Sequence, residues 1–203
     1  MALADMVQDV TVAEEDVLRA DVYDLLSALL ARPPERDLID RVAELDGDDS
    51  ELGRAVKVLT RIARATTETA AEREFSRLFI GVARGELLPY ASYYMTGFLN
   101  EKPLALLRND MAKRDIERAP NVFEPEDNIA SLCEMMAGLI LGRFGEPETL
   151  AGQKDFFSAH IAPWAGHFFA DLEAAKGSVF YAPVGAIGCA FMEIEREAFR
   201  MGA

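Results

Sequence analysis

Cysteine, histidine and tryptophan are nearly absent from this chain. Its 203 residues include two cysteines, two histidines and one tryptophan. Cys133 and Cys189 are lone thiols on apolar helical faces, which gives neither a disulfide framework nor a metal-type pair. They read as reduced core residues. His160 and His167 stand in no Glu-x-x-His or His-Glu-x-x-His arrangement, so neither a carboxylate-bridged nor a zinc site is built from them. Both lie near bulky apolar residues and read as structural. There is no nucleophile elbow, no G-x-x-x-x-G-K-[ST] loop and no G-x-G-x-x-G. The Gly81–Gly85 loop lacks the lysine and the following strand that cradling a phosphate requires. No catalytic residue, metal or cofactor is therefore expected.

Long apolar runs are also missing. No segment reaches the roughly 18 uninterrupted apolar residues of a spanning helix. The first residues, MALADMVQDV, have no basic n-region and do not form a secretory signal, so a cytoplasmic protein is expected. Basic residues are in the minority, 21 Lys and Arg against 35 Asp and Glu, for a formal net charge of -14. Phosphate-rich nucleic acid is repelled by such a surface, whereas a basic partner such as an arginine-bearing peptide is attracted.

What the chain does have is helical periodicity. Thr11 with Glu14 makes a capping box, and Leu18, Val22, Leu25, Leu26, Leu29 and Leu30 follow as a buried stripe that Arg32-Pro33-Pro34 ends. Leu38, Val42 and Leu45 mark a shorter helix. After the turn at Asp46 to Ser50, Leu52, Val56, Leu59 and Ile62 mark a third. A second capping box, Thr69 with Glu72, leads into a helix carrying Phe75, Leu78 and Phe79 that stops at Gly81. Pro103 suits the first turn of the helix that buries Leu104, Leu107 and Met111. Beyond Gly145-Glu146-Pro147, three further stripes follow: Leu150, Phe157, Ile161; Trp164, Phe168, Leu172; and Val184, Ile187, Phe191, Ile194, Ala198. No alternating strand pattern occurs, so the fold class is all-α. The length suits one domain, or two small helical lobes sharing a core, about 1–118 and 119–203.

Two stretches depart from this regularity. GVARGELLPYASYYM, from Gly81 to Met95, reads as a loop with more apolar surface than a solvated connector should carry. It either packs into the core or lines a groove for an apolar ligand. Ala119 to Asn128 is acidic and interrupted by Pro120 and Pro125, which makes it a candidate hinge between the lobes. A helix can start at Glu126, with Ile129, Leu132, Cys133, Met136, Ile140 and Phe144 on one face. Lys113, Arg114 and Arg118 lie just upstream, where they can pair with the acids from Glu124 to Asp127.

Glu124-Pro125-Glu126-Asp127-Asn128 resembles the E-P-x-D-H signature of the TorD/DmsD family, with Asn128 where the family usually has histidine. Phe75 to Gly81 and Pro89-Tyr90-Ala91-Ser92-Tyr93-Tyr94 resemble its aromatic-x-x-Leu-Phe-x-Gly and P-Y-x-S-x-Y segments. The resemblance implies a single TorD-like helical domain and a cytoplasmic chaperone for molybdenum enzymes exported with twin-arginine signal peptides. The implied partners are the catalytic subunit of such an enzyme, with formate dehydrogenase as the expected client, and its signal peptide. The implied work is to hold the client for cofactor insertion before export, as a monomer or a domain-swapped dimer. Guanine-nucleotide binding, also suggested for the family, gains no support from these residues.

Carried over position by position, the client-binding residues are Glu124, Pro125, Asp127 and Asn128 in the acidic stretch. In the aromatic stretch they are Phe75, Leu78, Phe79, Pro89, Tyr90, Ser92 and Tyr94. Asn128 donates and accepts hydrogen bonds but cannot titrate near neutral pH as histidine does. The rival reading is a metal-assisted helical enzyme with an acidic site of Glu124, Glu126 and Asp127. Asp127 itself reads either as a helix cap or as a ligand for the client's guanidinium.

Overall fold

Every regular element among the described residues is a helix. A computed structural model of the chain describes residues 12–202 except 83 and 121. In order, the helices are α1 (Glu14–Ala31), α2 (Arg36–Ala43), α3 (Glu51–Ala63), α4 (Glu68–Phe75), α5 (Ala91–Thr96), α6 (Lys102–Lys113), α7 (Ile129–Leu141), α8 (Leu150–Phe156), α9 (Ala165–Ala174) and α10 (Tyr181–Met201). The all-α expectation holds. None of these helices is long and apolar enough to cross a membrane.

Helix starts follow local hydrogen-bond chemistry, with some changes from the sequence reading. α3 and α8 begin at Ser50 and Thr149, whose side chains accept from Gly53 N and Gly152 N. α4 is capped by Thr67, which accepts from Ala70 N, and not by Thr69. α7 begins at Ile129 and not at Glu126, because the Asn128 side chain accepts from Ala130 N and sets the first turn. Thr11, the expected cap of α1, lies outside the described residues. α4 and α8 each run on into one wide π-type turn, Ser76–Ile80 and Phe157–Ile161. Such turns shift the following side chains around the helix axis. The Gly81–Met95 stretch is not loop throughout, since its tyrosine-rich end forms α5.

The core is built where α1 lies along α7 and where α10 packs against α9 and α3. α7 contributes ten buried residues out of thirteen, from Ile129 to Ile140. Trp164, Tyr181, Phe156, Phe168 and Phe169 are all at most 1% exposed. Each large apolar side chain of this kind contributes about 1.5–3 kcal/mol relative to exposure.

Three expected core positions lie outside. Leu18 is 61%, Leu150 50% and Ile194 47% exposed, while Glu195 is fully buried. Next to Ile194 the inward position of α10 is taken by Glu195, which accepts from Arg19 Nε at 2.8 Å, Arg19 Nη2 at 2.9 Å and the Tyr23 hydroxyl at 3.0 Å. A carboxylate can be buried only when its charge is met this fully.

Candidate peptide-binding cleft

Glu74 fixes the end of α4. Its carboxylate accepts from the backbone amides of Val179, Phe180 and Tyr181 at 2.8–3.1 Å, which ties α4 to the first turn of α10. Phe75 and Phe79 then pack against Tyr181, with ring centroids 6.0 and 5.5 Å away. The π-type turn leaves Phe79 half-buried and Ile80 exposed, and Gly81, at φ 63°, ends it. A Cβ at Gly81 would stand 2.0 Å from Arg84 O, so both space and backbone conformation require glycine there.

The aromatic and acidic stretches are stitched together by their backbones. Ala91 N donates to Asp127 O at 2.9 Å and Ile129 N donates to Pro89 O at 2.9 Å. Tyr90 and Asn128 form an isolated antiparallel bridge between them. The result is a cleft of about 660 Å³. Its walls are the end of α1 with Leu30, Arg32 and Pro33; Phe75, Phe79 and Ile80; Pro89 and Tyr90; Val122 and Glu124; and the start of α7 with Asn128, Ser131 and Glu134. Ile80 is 57% and Val122 43% exposed, so the rim is apolar as well.

Of the residues expected to bind a client, the structure brings Phe75, Phe79, Pro89, Tyr90, Glu124 and Asn128 to this cleft. Pro125, half-buried, does not line it. Leu78 and Ser92 are fully buried. Tyr94 lies elsewhere, stacked near Trp164 and Phe168, with its hydroxyl donating to Asp171 at 2.9 Å. Asp127 is 1% exposed, and its Oδ2 accepts from Ser92 N at 2.7 Å. It therefore holds the first turn of α5 and does not line the cleft. The backbone stitching accompanies this arrangement, with Asp127 turned inward and Asn128 at the cleft wall.

The three acids of the rival enzymatic reading do not converge. Glu124 accepts from the Tyr90 hydroxyl. Burial, reinforced by that carboxylate, pushes the hydroxyl well above its ordinary pKa and keeps it a donor. Glu126 accepts from Arg108 Nε and Nη2 at 3.0 and 2.9 Å and from Arg118 Nε at 2.9 Å. Burial opposes its ionisation, but the two guanidinium groups win and hold its carboxyl below the ordinary value. The expected pairing of the upstream basic cluster with this motif is thus made by Arg118, joined by Arg108. No group of three or more His, Cys, Asp or Glu among the described residues is arranged to hold a metal ion.

His160 is buried, with Nε2 2.8 Å from Asp110 Oδ2. Burial pushes its pKa below the ordinary value against the pull of Asp110. His167 is exposed on α9 and does not share that environment. Sequence reasoning did not single out Glu134 in the cleft. A signal for it existed, since Glu134 is the one charged residue in the otherwise apolar helix Ile129–Leu141.

Comparison with known proteins agrees with this architecture. Residues 45–170 match the family model described as the nitrate reductase delta subunit. The chaperone protein TorD of Vibrio atlanticus is 27% identical over 201 residues, covering 88% of this chain and 93% of its own length. The chaperone protein TorD of Vibrio cholerae is 26% identical over 211 residues, covering 94% of this chain and 95% of its own. In fold, the chain is similar to a crystal structure from Archaeoglobus fulgidus described as a redox enzyme maturation protein. That match has a TM-score of 0.58 and 20% identity, over 87% of this chain and 94% of the other.

Proposed function

From the membership of this chain in the nitrate reductase delta subunit family, which includes the TorD chaperones, we propose that it is a maturation chaperone for a molybdenum-containing redox enzyme. It binds the twin-arginine signal peptide of the client, and part of the client's body, in the cleft between α1, α4 and α7. It holds the client until the molybdenum cofactor is inserted and withholds it from export until then. A formate dehydrogenase is the client we propose, on the overall resemblance of the chain to family members that serve such enzymes.

One observation carries this reading. The aromatic and acidic stretches, distant in sequence, meet in one cleft that has an apolar floor and carboxylates at its edge. A signal peptide of this class offers adjacent guanidinium groups followed by an apolar segment. Phe75, Phe79, Leu30 and Pro89 give that segment a surface to leave water on, and Tyr90 adds contact area at low entropy cost. A carboxylate at the edge of the cleft offers an oxygen pair to which a guanidinium fork can donate. The net charge of -14 draws a basic peptide towards the molecule.

Calorimetric titration with a peptide of two arginines and an apolar segment tests the proposal. Phe79 is half-buried at the cleft, so Phe79→Ala is expected to weaken binding by about tenfold or more, that is about 1.4 kcal/mol. Equal binding by the variant and the unaltered chain argues against this cleft. Co-purification from the native cells, with identification of the bound enzyme, tests the client.

A further inference from the structure

We infer that Glu134, and not the inner carboxylates of the acidic motif, reads the arginine pair of the client peptide. The inference rests on the cleft being the peptide groove proposed above. α7 buries ten of its thirteen residues, and Glu134 is its only charged side chain. It is exposed, and it lines both the apolar cleft and a second hollow of about 610 Å³ beyond Arg32 and Pro33.

Commitments elsewhere single it out. Glu126 is held by Arg108 and Arg118 and Glu124 by the Tyr90 hydroxyl, while Asp127, its Oδ2 on the Ser92 amide and its Oδ1 unpaired, is 1% exposed and off the cleft. Glu134 has no hydrogen bond or ion pair among the described residues. Of the three arginines that line the second hollow, Arg143 is paired, its Nη1 donating to Asp24 Oδ1 at 2.8 Å with Nη2 on the other oxygen; Arg32 stands 3.6 Å from Glu35, and Arg41 lines the hollow beside Asp24, Glu35 and Asp37. An uncommitted carboxylate on a concave wall gives a guanidinium a bidentate partner without breaking an existing bond. The apolar wall limits solvent screening, so the pair is stronger there than on an open surface.

This placement also gives the peptide a direction. Its apolar segment lies over Phe75 and Phe79, and its arginine end passes Glu134 into the second hollow. The partner is thus a peptide whose paired guanidinium groups immediately precede an apolar stretch.

The test compares two peptides, one with an arginine pair before an apolar segment and one with both arginines replaced by glutamine. Each is titrated into the unaltered chain and into Glu134→Gln, whose exposed side chain leaves the melting temperature as a check on folding. The unaltered chain is expected to prefer the arginine peptide by about tenfold or more, as for a partly desolvated charge pair. In Glu134→Gln that ratio is expected to collapse towards one. A ratio unchanged in Glu134→Gln overturns this inference alone. Failure of both peptides to bind the unaltered chain overturns it together with the reading of the cleft.

Discussion

Replacing Asp127 separates a structural acid from a client ligand. Ser92 is fully buried, and its amide reaches the Asp127 carboxylate at 2.7 Å. Alanine at 127 removes that acceptor and strands the amide, whereas asparagine keeps an oxygen in the same place. Both substitutions delete the charge, so the difference between them reports the hydrogen bond and the packing of the side chain, not the charge. An unsatisfied buried amide costs about 1–3 kcal/mol. For a chain of this size each kcal/mol moves the melting temperature by about 2–4 °C. Asp127→Ala is therefore expected to melt roughly 2–12 °C below Asp127→Asn. Far-UV circular dichroism during heating measures the difference, and hydrogen exchange at the Ser92 amide locates it. If the two variants melt together and both lose peptide affinity, Asp127 is a client ligand and the structural assignment is wrong.

Two further perturbations test the buried and partly buried charges of the fold. Arg19→Met leaves the fully buried Glu195 with only the Tyr23 hydroxyl, which is expected to cost about 3–5 kcal/mol. Arg19→Met combined with Glu195→Met is expected to recover most of that loss, and denaturant titration showing less than about 1 kcal/mol for the single change would refute the network. Glu126 has a carboxyl held below its ordinary value of 4.5, so it contributes stability that is present above that value and is lost as pH falls through the folded one. Glu126→Gln is expected to lower stability near neutral pH and to converge with the unaltered chain in acid; parallel stability curves across the whole range would count against the Arg108–Glu126–Arg118 pairing.

Much of the fold is legible in the sequence because helix periodicity is local. Leu26, Leu29, Leu132, Met136, Phe168 and Phe191 all stand where three-to-four spacing puts them, in the core. The errors arise where a distant residue overrides the local pattern. Leu18 and Ile194 complete apolar stripes on paper, but the inward positions beside them are taken by the Arg19–Glu195 pair, 176 residues apart in sequence. No local rule contains that contact. The same holds for the cap of α4, where Thr67 and Thr69 offer the same chemistry and packing selects one.

The site was legible as two stretches but not as individual side chains. A motif position carries no information on which way its side chain turns. Leu78 and Phe79 are adjacent, yet one is core and the other lines the cleft, as the wide turn at Ser76–Ile80 dictates. Asp127 and Asn128 divide in a similar way, with Asp127 spent on α5 and Asn128 on capping α7 at the cleft wall. Glu134 was hidden by its surroundings. Within an apolar helix a single acid reads as an exposed face, and only the folded chain sets α1 and the Arg32-Pro33 turn beside it to make a cleft.

The central claim is that the cleft between α1, α4 and α7 receives the client's signal peptide. The most direct measurement places a photoreactive side chain in the apolar segment of a twin-arginine peptide and maps the crosslinked residues by mass spectrometry. Crosslinks are expected at Leu30, Phe79, Ile80 and Tyr90, which line the cleft. Crosslinks confined to other faces, such as the apolar groove of Val58, Val179 and Ala186 between α3 and α10, would contradict the account.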